Sequence, residues 1–189
     1  MDKTKATTTD AKIPEVLDYW EDKEGAAVAS GILGVYATVL FVWFAGCVRA
    51  NVSCAERPGG RLASTLMAGA TIAAAGLLLL AGTQILAADT AGEVSPEVTQ
   101  TLSAMHDNLW TPLSGGFALF LLASGLGAIR HGALDRRLGW IAIGLGVLCL
   151  TPAGVVGFLG GVAWSAIAGV VLYRKAAAAL DAPAAPQAP

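Results

Sequence analysis

Apolar residues in this chain come in long blocks, without the regular polar stripe of a water-soluble helix. Four stretches contain no Asp, Glu, Lys, Arg or His: residues 25–48, 62–88, 108–129 and 138–173. Each reaches or exceeds the roughly 20 residues a helix needs to cross a hydrocarbon core about 30 Å thick. Blocks that are apolar all round predict helices bordered on every side by lipid or by other helices. The predicted fold class is therefore all-α, an integral membrane helical bundle.

The fourth block decides the number of passes. Its 36 residues would make one helix about 54 Å long at about 1.5 Å per residue. Tilt does not absorb that excess over the bilayer. Thr151-Pro152-Ala153-Gly154 lies near the middle of the block, and Pro followed by Gly signals a turn. Splitting there gives two short passes of about 16 residues each and five passes in all. Four passes with a long bent last helix is the alternative.

Charge supplies the orientation. Lys and Arg near span ends favour the cytoplasm. Arg49, Arg57 and Arg61 follow the first block, Arg130, Arg136 and Arg137 the third, and Arg174 and Lys175 the last. The segment after the second block, residues 89–107, has four acids and no Lys or Arg. The N-terminus and this acidic loop are thus expected outside, and the C-terminus inside the cell. Three regions follow: an outer tail with an amphipathic helix over 1–24, the transmembrane bundle over 25–175, and a disordered Ala/Pro-rich cytoplasmic tail over 176–189. Residues 1–24 lack the apolar core of a signal peptide.

Small residues suggest how the passes pack. Gly157, Gly161, Ser165 and Gly169 recur every fourth position and line one helix face, which lets a neighbouring backbone approach closely. Ala26, Ser30 and Gly34 form a shorter version, as do Gly69 and Ala73. Trp110 is expected at the outer end of the third pass, with Trp140, Tyr173, Trp43 and Phe44 toward inner ends. Trp164 falls mid-pass, where its indole N–H needs a protein partner.

Two outer segments read as surface helices. Val16, Tyr19 and Trp20 have i, i+3, i+4 spacing, which suits a helix lying at the headgroups. Ser95 before Pro96 and Glu97 is a helix start, with Pro in the first turn. Val98, Leu102 and Met105 then repeat along what is expected to be the bundle's outer face. Gly132, after Arg130 and His131, is a helix C-cap with cations in the last turn.

Composition narrows the function. Charged residues are 14% of the chain and the net charge is −2, against about 25% charged in soluble domains. Nothing resembles a nucleic-acid surface. Cys47, Cys54 and Cys149 form no redox or zinc spacing. No ionisable residue falls within the apolar blocks, which removes the usual mark of a pump or proton relay. The polar side chains there are Gln84, Thr38, Thr71, Thr83, Ser64, Ser114, Ser124 and Ser165. Hydroxyls of this kind bond back to the backbone or bridge helices. Gln84 is expected at the outer interface. His106 and Asp107, with Glu97, are the outer residues from which a metal or acid–base site could be drawn. Glu97 and His106 are nine residues apart, about 900° of helix, and so point to opposite faces. Gly115-Gly116 and the Gly125/Gly127 pair lack the strand and Lys-Ser/Thr of a phosphate loop. Asn51-Val52-Ser53 fits a glycosylation pattern but lies on the assigned cytoplasmic side. No catalytic, cofactor or metal residue is assigned.

The stretch EVLDYWEDKEGAAVASGILGVYATVLFVWFAGCVRA resembles the opening of a group of actinobacterial multi-pass membrane proteins without assigned activity. GALDRRLGWIAIGLGVLCLTPAGVVGFLGGVAWSAIAGVVLYR is similar to their C-terminal hairpin, which Leu138-Gly139-Trp140 opens. Asp135 stands where members often have Pro. Some members carry a further hydrophobic segment ahead of the acidic one, so the resemblance leaves both starts open, at Met1 or upstream with such a segment.

The functional expectation is a non-enzymatic plasma-membrane bundle that associates with itself, a membrane protein partner or lipid. An uncharged channel or facilitator is the alternative, and an outer-face enzyme using His106 and Asp107 the third reading.

Overall fold

The chain is described here by a computed structural model covering residues 13–57, 59–90 and 94–180. It forms α1 (Ile13–Ala55), α2 (Leu62–Asp89), α3 (Pro96–Asn108), α4 (Trp110–His131), α5 (Arg136–Cys149) and α6 (Gly154–Leu180), with no strand among the described residues. Four segments are long and apolar enough to cross a membrane: Gly25–Ala55, Leu62–Asp89, Glu97–His131 and Gly154–Ala178. The chain is an all-α membrane bundle.

Helix α5 has only 14 residues, about 21 Å of rise. It ends at the expected break: Thr151 Oγ1 donates to Leu148 O at 2.7 Å and the Gly154 N–H donates to Thr151 O at 2.9 Å. This turn brings the chain back to the start of α4, since a Cβ on Gly154 would lie 3.7 Å from Trp110 Nε1. The two halves of the fourth block are unequal. Helix α6 continues past Arg174 and Lys175 to Leu180 and has 27 residues, because the Ala-rich sequence beyond the cations keeps forming helix. Residues 1–12 and 181–189, where disordered tails are expected, lie outside the described residues.

Glycine contacts fix the directions. Gly34 faces Ala81, Gly76 faces Leu113, Gly139 faces Ala128, and Gly160 faces Leu145. Successive helices α1, α2, α4, α5 and α6 therefore run antiparallel, with α3 leading into α4. Helix α4 is at the centre, packed on α2 and α5 and touching α1 and α6. Its Phe120, Leu121 and Ser124 are fully buried. This order gathers Arg49, Arg57, Arg61, Arg130, Arg136, Arg137, Arg174 and Lys175 at one end of the bundle, all exposed.

The tightest seam joins α2 to α4. A Cβ on Gly69 would lie 2.6 Å from Phe120 N and 2.9 Å from Gly116 O, and one on Gly116 would collide with Ala73 N. The two backbones touch because neither has a side chain between them.

Local chemistry sets the helix ends at the basic side. Gly132 adopts φ 68° and its N–H donates to Ala128 O at 3.1 Å, a left-handed cap that suits glycine. Asp135 caps α5 by accepting from Arg137 N at 2.8 Å. Glu56 serves α2, accepting from Leu62 N at 2.7 Å and Ala63 N at 3.1 Å. A carboxylate there meets free N–H groups and the positive end of the helix dipole.

Two expected surface helices differ in detail. Residues 13–24 continue into α1 as one helix of 43 residues, since no Pro or Gly breaks the chain between Glu15 and Glu24. The side chains of Val16 and Tyr19 lie outside the described residues. Trp20 is packed inside the protein, buried with Ala27, Ala87 and Ala88. On α3 the packed face is Thr99 and Ser103, while Val98 and Met105 are exposed. Small side chains let α3 sit closely on α1 and α2, with Leu102 packed against the Trp20 cluster while Val98 and Met105 turn outward.

Candidate functional site

A concavity lies between α1 and α6, which stand apart in front of α2 and α4. It encloses about 760 Å³ and opens sideways. Ala37, Leu40, Phe41 and Phe44 of α1 form one wall, and Phe158, Val162, Ser165, Ala166 and Gly169 of α6 form the other. Ala73, Leu77, Leu113 and Phe117 complete the floor. Ser165 has the only polar side chain in this lining, and its hydroxyl already donates to Gly161 O at 2.8 Å. The groove thus offers shape and apolar surface, with no free polar group to orient a reaction.

An aromatic cluster holds the walls in place. Phe41 meets Phe117 at 5.7 Å and Phe120 at 5.2 Å between ring centroids. Phe158 meets Phe117 at 5.1 Å and Trp110 at 5.2 Å. Tilted and edge-on contacts of this kind add to the burial of the rings. Behind them Trp164 is buried, 6.4 Å from Phe120, and its Nε1–H donates to Leu138 O at 2.9 Å. That bond ties α6 to the start of α5 and supplies the partner a mid-pass indole needs.

The small-residue ladder on α6 divides between two tasks. Gly157 packs on the Cys149 backbone, where a Cβ would come within 2.6 Å of Cys149 N, and Gly161 packs on the ring of Phe117. Ser165 and Gly169 instead line the groove. A Cβ on Gly169 would have only Phe44 nearby, at 3.7 Å.

No family model, curated protein or solved structure matches this chain.

The residues at the end of the bundle away from the cations form a structural cluster. His106 is half-buried, with Nδ1 3.3 Å from Thr83 Oγ1 and its ring edge-on to Trp20 at 6.1 Å. Asp107 and Glu97 are exposed. Among the described residues no three His, Cys, Asp or Glu side chains come together as a metal site. Nearby, Gln84 Nε2 donates to Ser30 Oγ at 2.7 Å, linking α2 to α1. The intramembrane hydroxyls of Thr38, Thr71, Thr83, Ser114 and Ser124 all donate to carbonyls of their own helices.

The aromatic cluster and the groove are absent from the sequence reading. Phe41, Phe117 and Phe158 are far apart in the chain, and only their helical placement unites them. Glu56 carried one legible signal, an acid shortly before an apolar helix start.

Proposed function

We propose that this protein is a non-enzymatic plasma-membrane bundle that works by association within the bilayer, through the groove between α1 and α6. The groove carries this reading: it is large, apolar and open sideways, and its one hydroxyl is already bonded. Gathering eight cations at one end favours placing that end in the cytoplasm and the N-terminus outside. The likeness to actinobacterial multi-pass membrane proteins belongs to the same proposal. A channel is the weaker reading, because the hydroxyls that would line a polar path bond to their own backbones.

The test is native mass spectrometry of the protein released gently from its own membrane. A lipid, a second copy or a membrane protein is expected to remain bound, chemically unaltered. Gly169→Phe, which fills the groove where a Cβ has room, is expected to remove it without lowering the unfolding temperature. A bare wild-type chain, or conversion of the bound molecule during incubation, overturns the proposal.

A further inference from the structure

The groove and the charged end of the bundle together define a ligand chemistry. Ser165 donates to its own helix, so the part of a ligand held in the groove is hydrocarbon. The opening faces sideways at the level of the spanning segments, where acyl chains are the surrounding medium.

Both walls lead toward the same basic end. Arg49 follows Phe44 by five residues on α1, and Arg174 follows Gly169 by five on α6, each about 7.5 Å further along the axis. Lys175 is beside Arg174. All three cations are exposed, and none forms an ion pair among the described residues. Five or six residues of helix turn each cation about 120–140° round from Phe44 or Gly169, so it is their long flexible stems, and not their backbone positions, that bring the charge to the groove's end of the headgroup layer. Tyr173, four residues after Gly169, continues the groove face to this level with its phenol exposed. At the opposite end the described residues of the loop from Asp89 through Asp107 include acids and no Lys or Arg, and the start of α1 carries Lys23 among acids.

We propose that the groove between α1 and α6 holds the acyl chains of an anionic phospholipid, whose headgroup lies against Arg49, Arg174 and Lys175. This rests on the association reading above and names its ligand. Basic residues beside an intramembrane cleft favour anionic over zwitterionic headgroups, and the cleft confines the chains that follow.

The experiment uses the full chain in nanodiscs of phosphatidylcholine with a minority of phosphatidylglycerol, released for native mass spectrometry. Wild type is expected to retain phosphatidylglycerol in preference to phosphatidylcholine. Arg174→Gln with Lys175→Gln should reduce that retention about tenfold or more, from the contribution of two cations near an anionic surface. Arg136→Gln with Arg137→Gln removes equal charge from the start of α5 and should leave retention unchanged. Gly169→Phe should abolish retention with every cation intact. Equal losses in the two charge pairs overturn the inference, because they point to diffuse attraction. Equal retention of the two lipids, or of a second copy instead, overturns it while leaving the association reading standing. A bare chain in every nanodisc overturns both.

Discussion

Gly69 has no room for a methyl group, and the reason is backbone. Its Cβ would lie 2.6 Å from Phe120 N, 2.9 Å from Gly116 O and 3.0 Å from Leu119 C. None of these atoms belongs to a side chain that can rotate away. In Gly69→Ala, α2 and α4 must separate by about 1 Å to restore ordinary contact, and a gap of that size forfeits about a quarter to a half of each dispersion well. A helix seam with on the order of 50 atom pairs near 0.15 kcal/mol each then loses about 2–4 kcal/mol. Gly115→Ala is the matched reference. It gains the same helix propensity, up to about 1 kcal/mol, but its Cβ meets nothing within 4 Å. The assay is reversible unfolding of both variants in the same detergent, compared with wild type. Gly69→Ala should fall about 2–4 kcal/mol below Gly115→Ala. Equal stabilities would refute the claim that the α2–α4 seam depends on backbone contact.

Other expectations can be checked with the same preparation. Trp164→Phe keeps an aromatic ring but removes the bond to Leu138 O, and should cost about 1 kcal/mol in the same unfolding assay. Glu56→Gln should destabilise by about 0.3–1 kcal/mol through the N-terminus of α2, and by less at high salt. Thr99 is fully buried with a hydroxyl that has no partner among the described residues, so Thr99→Val should be neutral or stabilising by up to about 1 kcal/mol. Cys54 is exposed near the basic end. With that end in the cytoplasm, an impermeant maleimide applied to intact cells should label it only after permeabilisation, and labelling of intact cells would reverse the orientation.

The ladder on α6 shows how far pattern reading reaches. Its four-residue spacing predicts one face for Gly157, Gly161, Ser165 and Gly169, because helical periodicity is local. It does not say what that face meets. The first two rungs are closed by Cys149 and Phe117 and the last two stay open, since a four-residue spacing drifts about 40° per rung round the helix and turns the later rungs to the groove, where α1 stands apart. The α2–α4 seam is less legible: Gly69 and Ala73 form a small-residue pair, but nothing local marks Gly116, 47 residues after Gly69, as their counterpart.

By itself the sequence determined the all-helical membrane architecture, the break at Thr151-Pro152 and the segregation of charge. Each follows from solvation or backbone chemistry within a short window: an uncharged block long enough for the bilayer, a Pro-Gly turn, cations that stay in water. The tertiary structure decided the central position of α4, the unequal lengths of the last two helices, the burial of Trp20 and the groove between α1 and α6. These depend on which faces come into contact. In a bilayer, apolar residues gain little by choosing protein over lipid, so hydrophobicity does not say which faces pair. Close fit does, and close fit belongs to pairs of helices, such as Gly69 against Phe120 or Trp164 against Leu138, rather than to any one segment.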